Sequence, residues 1–205
     1  MTHALHRRIL GGTKLWRRGV DDQGAQIVEF AVSLPLLMVF VVGIFDFSGA
    51  LTLKQKLTNA AREGARVAAA DPANDLSSSS GAPVPVSVSD AFQVVDNYLL
   101  SEKINDCGLA PPPPQTPTPT QTNLTWTYSA SGSGCPGSGI ILTINRGSIT
   151  HPTPNANSTD VIDTQVQIQY AYKGRFNKVI TLLVPKASYA GVTSITTTAT
   201  AFNEN

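Results

Sequence analysis

Residues 27–47 read IVEFAVSLPLLMVFVVGIFDF, and this stretch decides the architecture. From Phe30 to Phe45 only Ser33, Pro35 and Gly43 fall outside the hydrophobic class. The 19 residues from Ile27 to Phe45, wound as a helix, are about 28 Å long, close to the thickness of a bilayer hydrocarbon core. Upstream stand Arg7, Arg8, Lys14, Arg17 and Arg18 against Asp21 and Asp22, and no basic residue follows the run until Lys54. The positive-inside rule therefore predicts a cytoplasmic N-terminus and an exported remainder.

The competing reading is a secretory signal peptide cut near Ser48-Gly49-Ala50. The run is longer than the usual apolar region of about 7–15 residues, and the helical pattern does not stop at Ala50. Leu53, Leu57, Ala60, Ala61, Gly64 and Ala68 continue a stripe at helical spacing until Asp71-Pro72, where proline disfavours further helix. The prediction is one long helix over residues 25–70, with a transmembrane segment at 27–47 and an amphipathic second half. From Ile27 to Ala70 it would be roughly 65 Å long.

Composition narrows the function. Of 205 residues 14% are charged, against about 25% in an average chain. The net charge of +1 leaves no basic footprint for nucleic acid. Three histidines and two cysteines are too few for most metal or redox constellations, and 14 prolines with 16 glycines argue against an all-helical bundle.

Glu29 is the anomaly within the run. An acidic residue at the bilayer centre costs about 2.5–3.5 kcal/mol, and less near the interface. Either it snorkels into the headgroup layer or it is kept for a partner. Its surroundings, Gly24-Ala25-Gln26-Ile27-Val28-Glu29-Phe30, resemble the processing site of tight-adherence (Flp, Tad) prepilins. In that group a basic leader ends in glycine and glutamate is the fifth residue of the trimmed chain, followed by an aromatic. A cut after Gly24 makes Ala25 the first residue and Glu29 the fifth, with Phe30 as the aromatic. Val28-Glu29-Phe30-Ala31, Leu34-Pro35-Leu36-Leu37, Gly43-Ile44-Phe45-Asp46-Phe47 and Ala60-Ala61-Arg62-Glu63-Gly64-Ala65-Arg66 follow in the order of the signatures of TadE-like proteins, pilin-like assembly proteins of the tight-adherence pilus.

The resemblance spans about residues 19–70. It implies a bacterial inner-membrane protein, handled by a prepilin peptidase and packing with other pilin-like subunits, with pilus assembly machinery, or with copies of itself. Incorporation into a surface pilus is one implied end state. Trimming after Gly24 would remove five basic and two acidic residues and leave a mature chain of net charge −2. It would also create an ammonium at Ala25 that Glu29 of a neighbouring subunit can pair with in the membrane.

Other helix residues carry plainer expectations. Pro35 removes a backbone hydrogen bond and should kink the helix. Gly43 and Pro35, with the small-residue face of Ala61, Gly64, Ala65 and Ala68, are the candidates for helix packing. That face receives either the protein's own sheet or a neighbouring helix. Asp46 is expected to be a solvated boundary residue, and Arg62, Glu63 and Arg66 to form solvated pairs.

The exported region, residues 71–205, should be an α+β domain. Ser89 is expected to cap a short helix, Asp90–Leu100, with Ala91, Phe92, Val95, Tyr98 and Leu99 on its apolar face. Residues 111–122, PPPPQTPTPTQT, read as a stiff spacer. Strands are expected around Leu124–Tyr128, Ile140–Ile144, Val166–Tyr172, Val179–Val184 and Ser194–Phe202, the third and fourth forming a hairpin through Gly174. Cys107 and Cys135, in an exported region, are expected to form a disulfide worth about 3–4 kcal/mol in the chain-entropy model. His151 stands between Thr150 and Pro152 without a paired carboxylate in sequence, and the chain carries no GxSxG, HExxH, Walker or GxGxxG motif. The expectation is a non-catalytic protein with no cofactor and no metal. The alternatives to a pilus-assembly role are a type II secretion pseudopilin or filament subunit, and a single-pass anchored binding module.

Overall fold

The computed structural model describes residues 22–78, 84–112, 124–150, 161–176 and 193–203. The leader up to residue 21, the spacer beyond Pro112, His151 and the expected strand Val179–Val184 lie outside the described residues.

The first helix, α1, runs from Asp22 to Ala70, 49 residues and about 73 Å. It starts ahead of Gly24 and continues as α-helix through Pro35. A 3-10 turn, Ala73–Ser78, leads to α2, Val86–Ser101. Among the described residues four strands follow: β1 (Thr125–Ala130), β2 (Ile140–Thr150), β3 (Val161–Tyr172) and β4 (Thr193–Phe202). They form one antiparallel sheet in the order β1-β2-β3-β4. The class is α+β, as the sequence predicts.

Alternation decides which sheet face is covered. Trp126 and Tyr128 of β1, Leu142 and Ile144 of β2, and Val166 and Ile168 of β3 are all buried on one face, and their partners stand opposite one another in register, Trp126 by Ile144 and Leu142 by Ile168. Over that face lie the second half of α1 and the inner face of α2. Leu57, Ala60, Ala61, Ala65 and Ala68 meet Val88, Ala91, Phe92, Val95 and Leu99 in one apolar core. Burying surface of this kind stabilises the fold by about 25 cal/mol per Å². The rings of Phe92 and Tyr128 meet at 4.8 Å between centroids, tilted by 59°, fixing α2 over β1.

The helix α2 begins a turn earlier than the sequence suggests, and Ser89 is not its cap. Pro85 takes the N-cap position without a side-chain hydrogen bond. The cap acceptor comes from outside the helix: the Asp75 carboxylate accepts the Ser87 N–H at 2.9 Å. An orphan N–H at a helix start needs an acceptor but not a neighbouring one, and burial of Ser87 and Val88 repays the extra turn.

The disulfide forms between Cys107 and Cys135, with Cα atoms 5.6 Å apart. It ties the segment leaving α2 to the connection between β1 and β2.

Candidate functional site: the exposed half of the long helix

Residues 24–47 of α1 extend away from the sheet. Ile27 is 69% exposed, Val32 71% and Phe40 65%, with Phe30, Leu36 and Ile44 similarly open. Exposure falls on every side of the helix, and Val42 and Asp46 are its only buried residues. A large apolar surface all round a helix is unfavourable in water and matches a lipid environment. By length and composition this helix can cross a membrane, and its charge asymmetry and position are consistent with an anchor.

Gly24, Ala25, Glu29 and Phe30 lie along the first turns of this exposed half, all of them open. A Cβ at Gly24 or at Gly43 would meet nothing within 4 Å among the described residues. Pro35 is exposed and Gly43 half-buried. Among the described residues these two expected packing residues therefore touch little of the domain.

The other four do the opposite. Ala61, Gly64, Ala65 and Ala68 are buried against the chain's own α2 and sheet. A Cβ at Gly64 would stand 2.6 Å from Val95 Cγ2 and 3.5 Å from the Ala91 carbonyl oxygen. Glycine costs about 1 kcal/mol in a helix interior, and here it allows α1 and α2 to approach closely. Of the two partners the sequence leaves open, the protein's own fold takes this face. Arg66 and Glu63 pair at 2.9 Å on the solvent side.

Asp46 overturns its expectation. It is 2% exposed, not solvated. Its Oδ1 accepts the N–H of Arg175 at 2.9 Å and of Phe176 at 3.3 Å, and its own carbonyl accepts the Tyr172 hydroxyl at 3.2 Å. Gly174 makes this possible, since a Cβ there would lie 2.7 Å from Asp46 Oδ2. The ring of Phe176 meets Phe45 at 6.4 Å. The carboxylate is buried because the turn after β3 offers two backbone donors, which offset its lost hydration. The end of β3 is thereby fastened to the helix where its apolar half begins.

A second fastening holds the far end. Arg146 is wholly buried. Its guanidinium donates to the Ala68 carbonyl, to Thr164 Oγ1 at 3.0 Å and to the Asp71 carbonyl at 3.1 Å. These carbonyls belong to the last turn of α1 and the residue after it, where the helix leaves acceptors unpaired and its dipole favours a cation. Burial pulls the guanidinium's pKa down, while Asp75 and Asp71 act to raise it. The Asp71 carboxyl is raised, mainly by burial and secondly by Asp90.

Sequence reasoning missed both fastenings, although each left a trace. Arg146 has the same strand parity as the inward Leu142 and Ile144. Asp46 lies on the backward extension of the Leu57–Leu53 stripe, through Gly49 to Val42.

The family model of TadE-like proteins matches residues 24–66. The match covers the exposed half of α1 and most of its docked half, and stops short of the sheet. No curated protein and no solved structure matches the chain.

Proposed function

We propose, proceeding from the match over residues 24–66, that this chain is a membrane-anchored, pilin-like protein of a tight-adherence pilus, acting non-catalytically in the assembly or structure of that pilus. The observation that carries the reading is the division of α1. One half is packed into a folded domain, and the other is an apolar rod bearing a single exposed carboxylate, Glu29. In this reading the rod seats in the bacterial inner membrane with its N-terminus in the cytoplasm and the domain outside. It meets other pilin-like subunits through the face that includes Pro35 and Gly43, because the small-residue face of Ala61 to Ala68 is already occupied.

A prepilin peptidase would cut after Gly24. That bond lies in the first turn of α1, where backbone N–H groups lack partners within the helix and fraying is least costly. Cleavage leaves an ammonium on Ala25, and Glu29 of an adjacent subunit pairs with it. In lipid neither charge is well tolerated alone, so the pair favours association over dispersal.

The test compares wild type with Glu29→Gln in cells carrying the whole pilus system. Glutamine keeps size and polarity but cannot form the ion pair. Membrane insertion should be unchanged, and recovery of pilin-like partners by crosslinking should fall about tenfold, as expected for loss of roughly 1.4 kcal/mol. Undiminished crosslinking would refute the pairing. The intact mass of membrane-extracted protein checks the trimming, with Ala25 as the expected first residue.

A further inference from the structure

Beside the point where α1 meets the end of β3 lies an open cavity of about 640 Å³. Phe45, Ser48 and Thr52 form its helical wall, and Tyr172 and Arg175 face them from the end of β3 and the turn after it. The segment leaving α2 contributes Glu102 and Lys103. We infer that this cavity is a binding site for the phosphate headgroup of an anionic membrane lipid. The inference rests on the reading of 27–47 as a transmembrane segment.

Depth is the first argument. A span from Ile27 to Phe47 is about 31 Å long, which fills the hydrocarbon core, and the polar layer outside it is about 5–7 Å thick. Ser48 to Thr52 rise about 8 Å beyond Phe47, so this wall of the cavity stands in the headgroup layer. Arg175 is anchored at the inner edge of that layer, because its backbone N–H is bound to Asp46 near the end of the span, and a long side chain there can extend its charge into the headgroups.

Charge is the second. Three cations line the cavity, Lys56, Lys103 and Arg175, against one carboxylate, Glu102. Lys56 is already engaged, at 2.9 Å from Glu102 Oε2 and 3.2 Å from the Glu102 carbonyl. Neither Lys103 nor Arg175 forms an ion pair among the described residues, and both side chains are exposed. Arginine offers a planar fork for phosphate oxygens and lysine a mobile point charge. The Phe45 ring below them is suited to the start of the acyl chains.

The experiment uses the full chain, reconstituted in phosphatidylcholine vesicles with and without phosphatidylglycerol. The protein is then extracted in mild detergent, and the retained lipid is identified by mass spectrometry. Phosphatidylglycerol should be enriched over its share of the vesicle. The enrichment should drop about fivefold for each cation neutralised in Lys103→Gln and Arg175→Gln, and Arg175→Lys should keep most of it. Excess inorganic phosphate should not strip the retained lipid; if it does, the site is one for free phosphate and the inference falls. Equal retention by wild type and the double variant also overturns it. Resistance to alkaline carbonate separates the two readings. A wild-type chain that carbonate extracts refutes the anchor, and the headgroup site with it. A chain that stays inserted but shows no lipid preference refutes the headgroup site alone.

Discussion

The two halves of α1 are one continuous helix with two kinds of surface. The half ending near Phe47 is exposed on every side up to Met38, and beyond it is covered only along the row of Val39, Val42, Gly43 and Asp46. The half beyond it buries a narrow row of alanines and Gly64 and turns Lys54, Arg62 and Arg66 to water. Hydrophobicity alone therefore misjudges which half is packed: the greasier half is bare, and the milder half forms the core. Lipid rewards large apolar surface without requiring a shape. A protein interior at close to crystalline density requires shape first, and small residues let helix and sheet approach. Asp46 sits at the join, buried by the turn after β3 where the apolar run would suggest a solvated edge.

The sharpest test of this contrast places the same substitution in both halves. Gly64→Leu drives new atoms into Val95 and the Ala91 carbonyl and should destabilise the folded domain by about 3 kcal/mol. Gly43→Leu meets nothing among the described residues and should leave the domain's unfolding within about 0.5 kcal/mol of wild type. Thermal melts of the two full-length variants in detergent measure both. Equal effects would erase the distinction between the halves.

The join itself should give a smaller effect. Asp46→Ala removes the acceptor of two backbone N–H groups and should cost roughly 2 kcal/mol. Asp46→Asn keeps an oxygen there and should recover most of that loss. Protease sensitivity near Arg175 is the expected companion readout, rising in the alanine variant and little in the asparagine one.

The smallest effect lies in the domain far from lipid. Asp96 is buried, and burial, with the nearby Asp106 charge second, raises its carboxyl pKa. A raised folded pKa means that the native state holds this proton more tightly than the unfolded chain does. Stability is then greatest below the ordinary carboxylate range and declines as pH rises through it toward the raised value. Asp96→Asn should flatten part of that decline in melts taken from acid to neutral pH. Asp71, shifted in the same direction, keeps the remainder.

Much of the fold was legible because its signals are local. Apolar length gave the rod, period-two alternation in Val166-Gln167-Ile168-Gln169-Tyr170 gave β3, and Asp71-Pro72 ended α1. The segment that the TadE-like family model matches, residues 24–66, was legible for a similar reason: the short motifs that carry the resemblance, from Gly24, Glu29 and Phe30 onward, follow one another within a single helix. Ser89 misled because a good capping residue near an apolar face looks like a helix start, while the acceptor actually used, Asp75, lies 12 residues before the N–H that it serves.

By itself, then, the sequence determined the long helix with its apolar length and the four described strands, since helix rise, strand alternation and proline sterics act between near neighbours. Only the tertiary structure decided which face the small residues serve, that Asp46 is buried, and that Arg146 closes the end of α1. Each of these depends on a partner far along the chain, 129 residues for Asp46 with Arg175 and 78 for Arg146 with Ala68. The free energy of burying a polar group turns on whether such a partner arrives; strand parity at Arg146 and helical spacing at Asp46 mark which way each side chain points but not the partner that it meets.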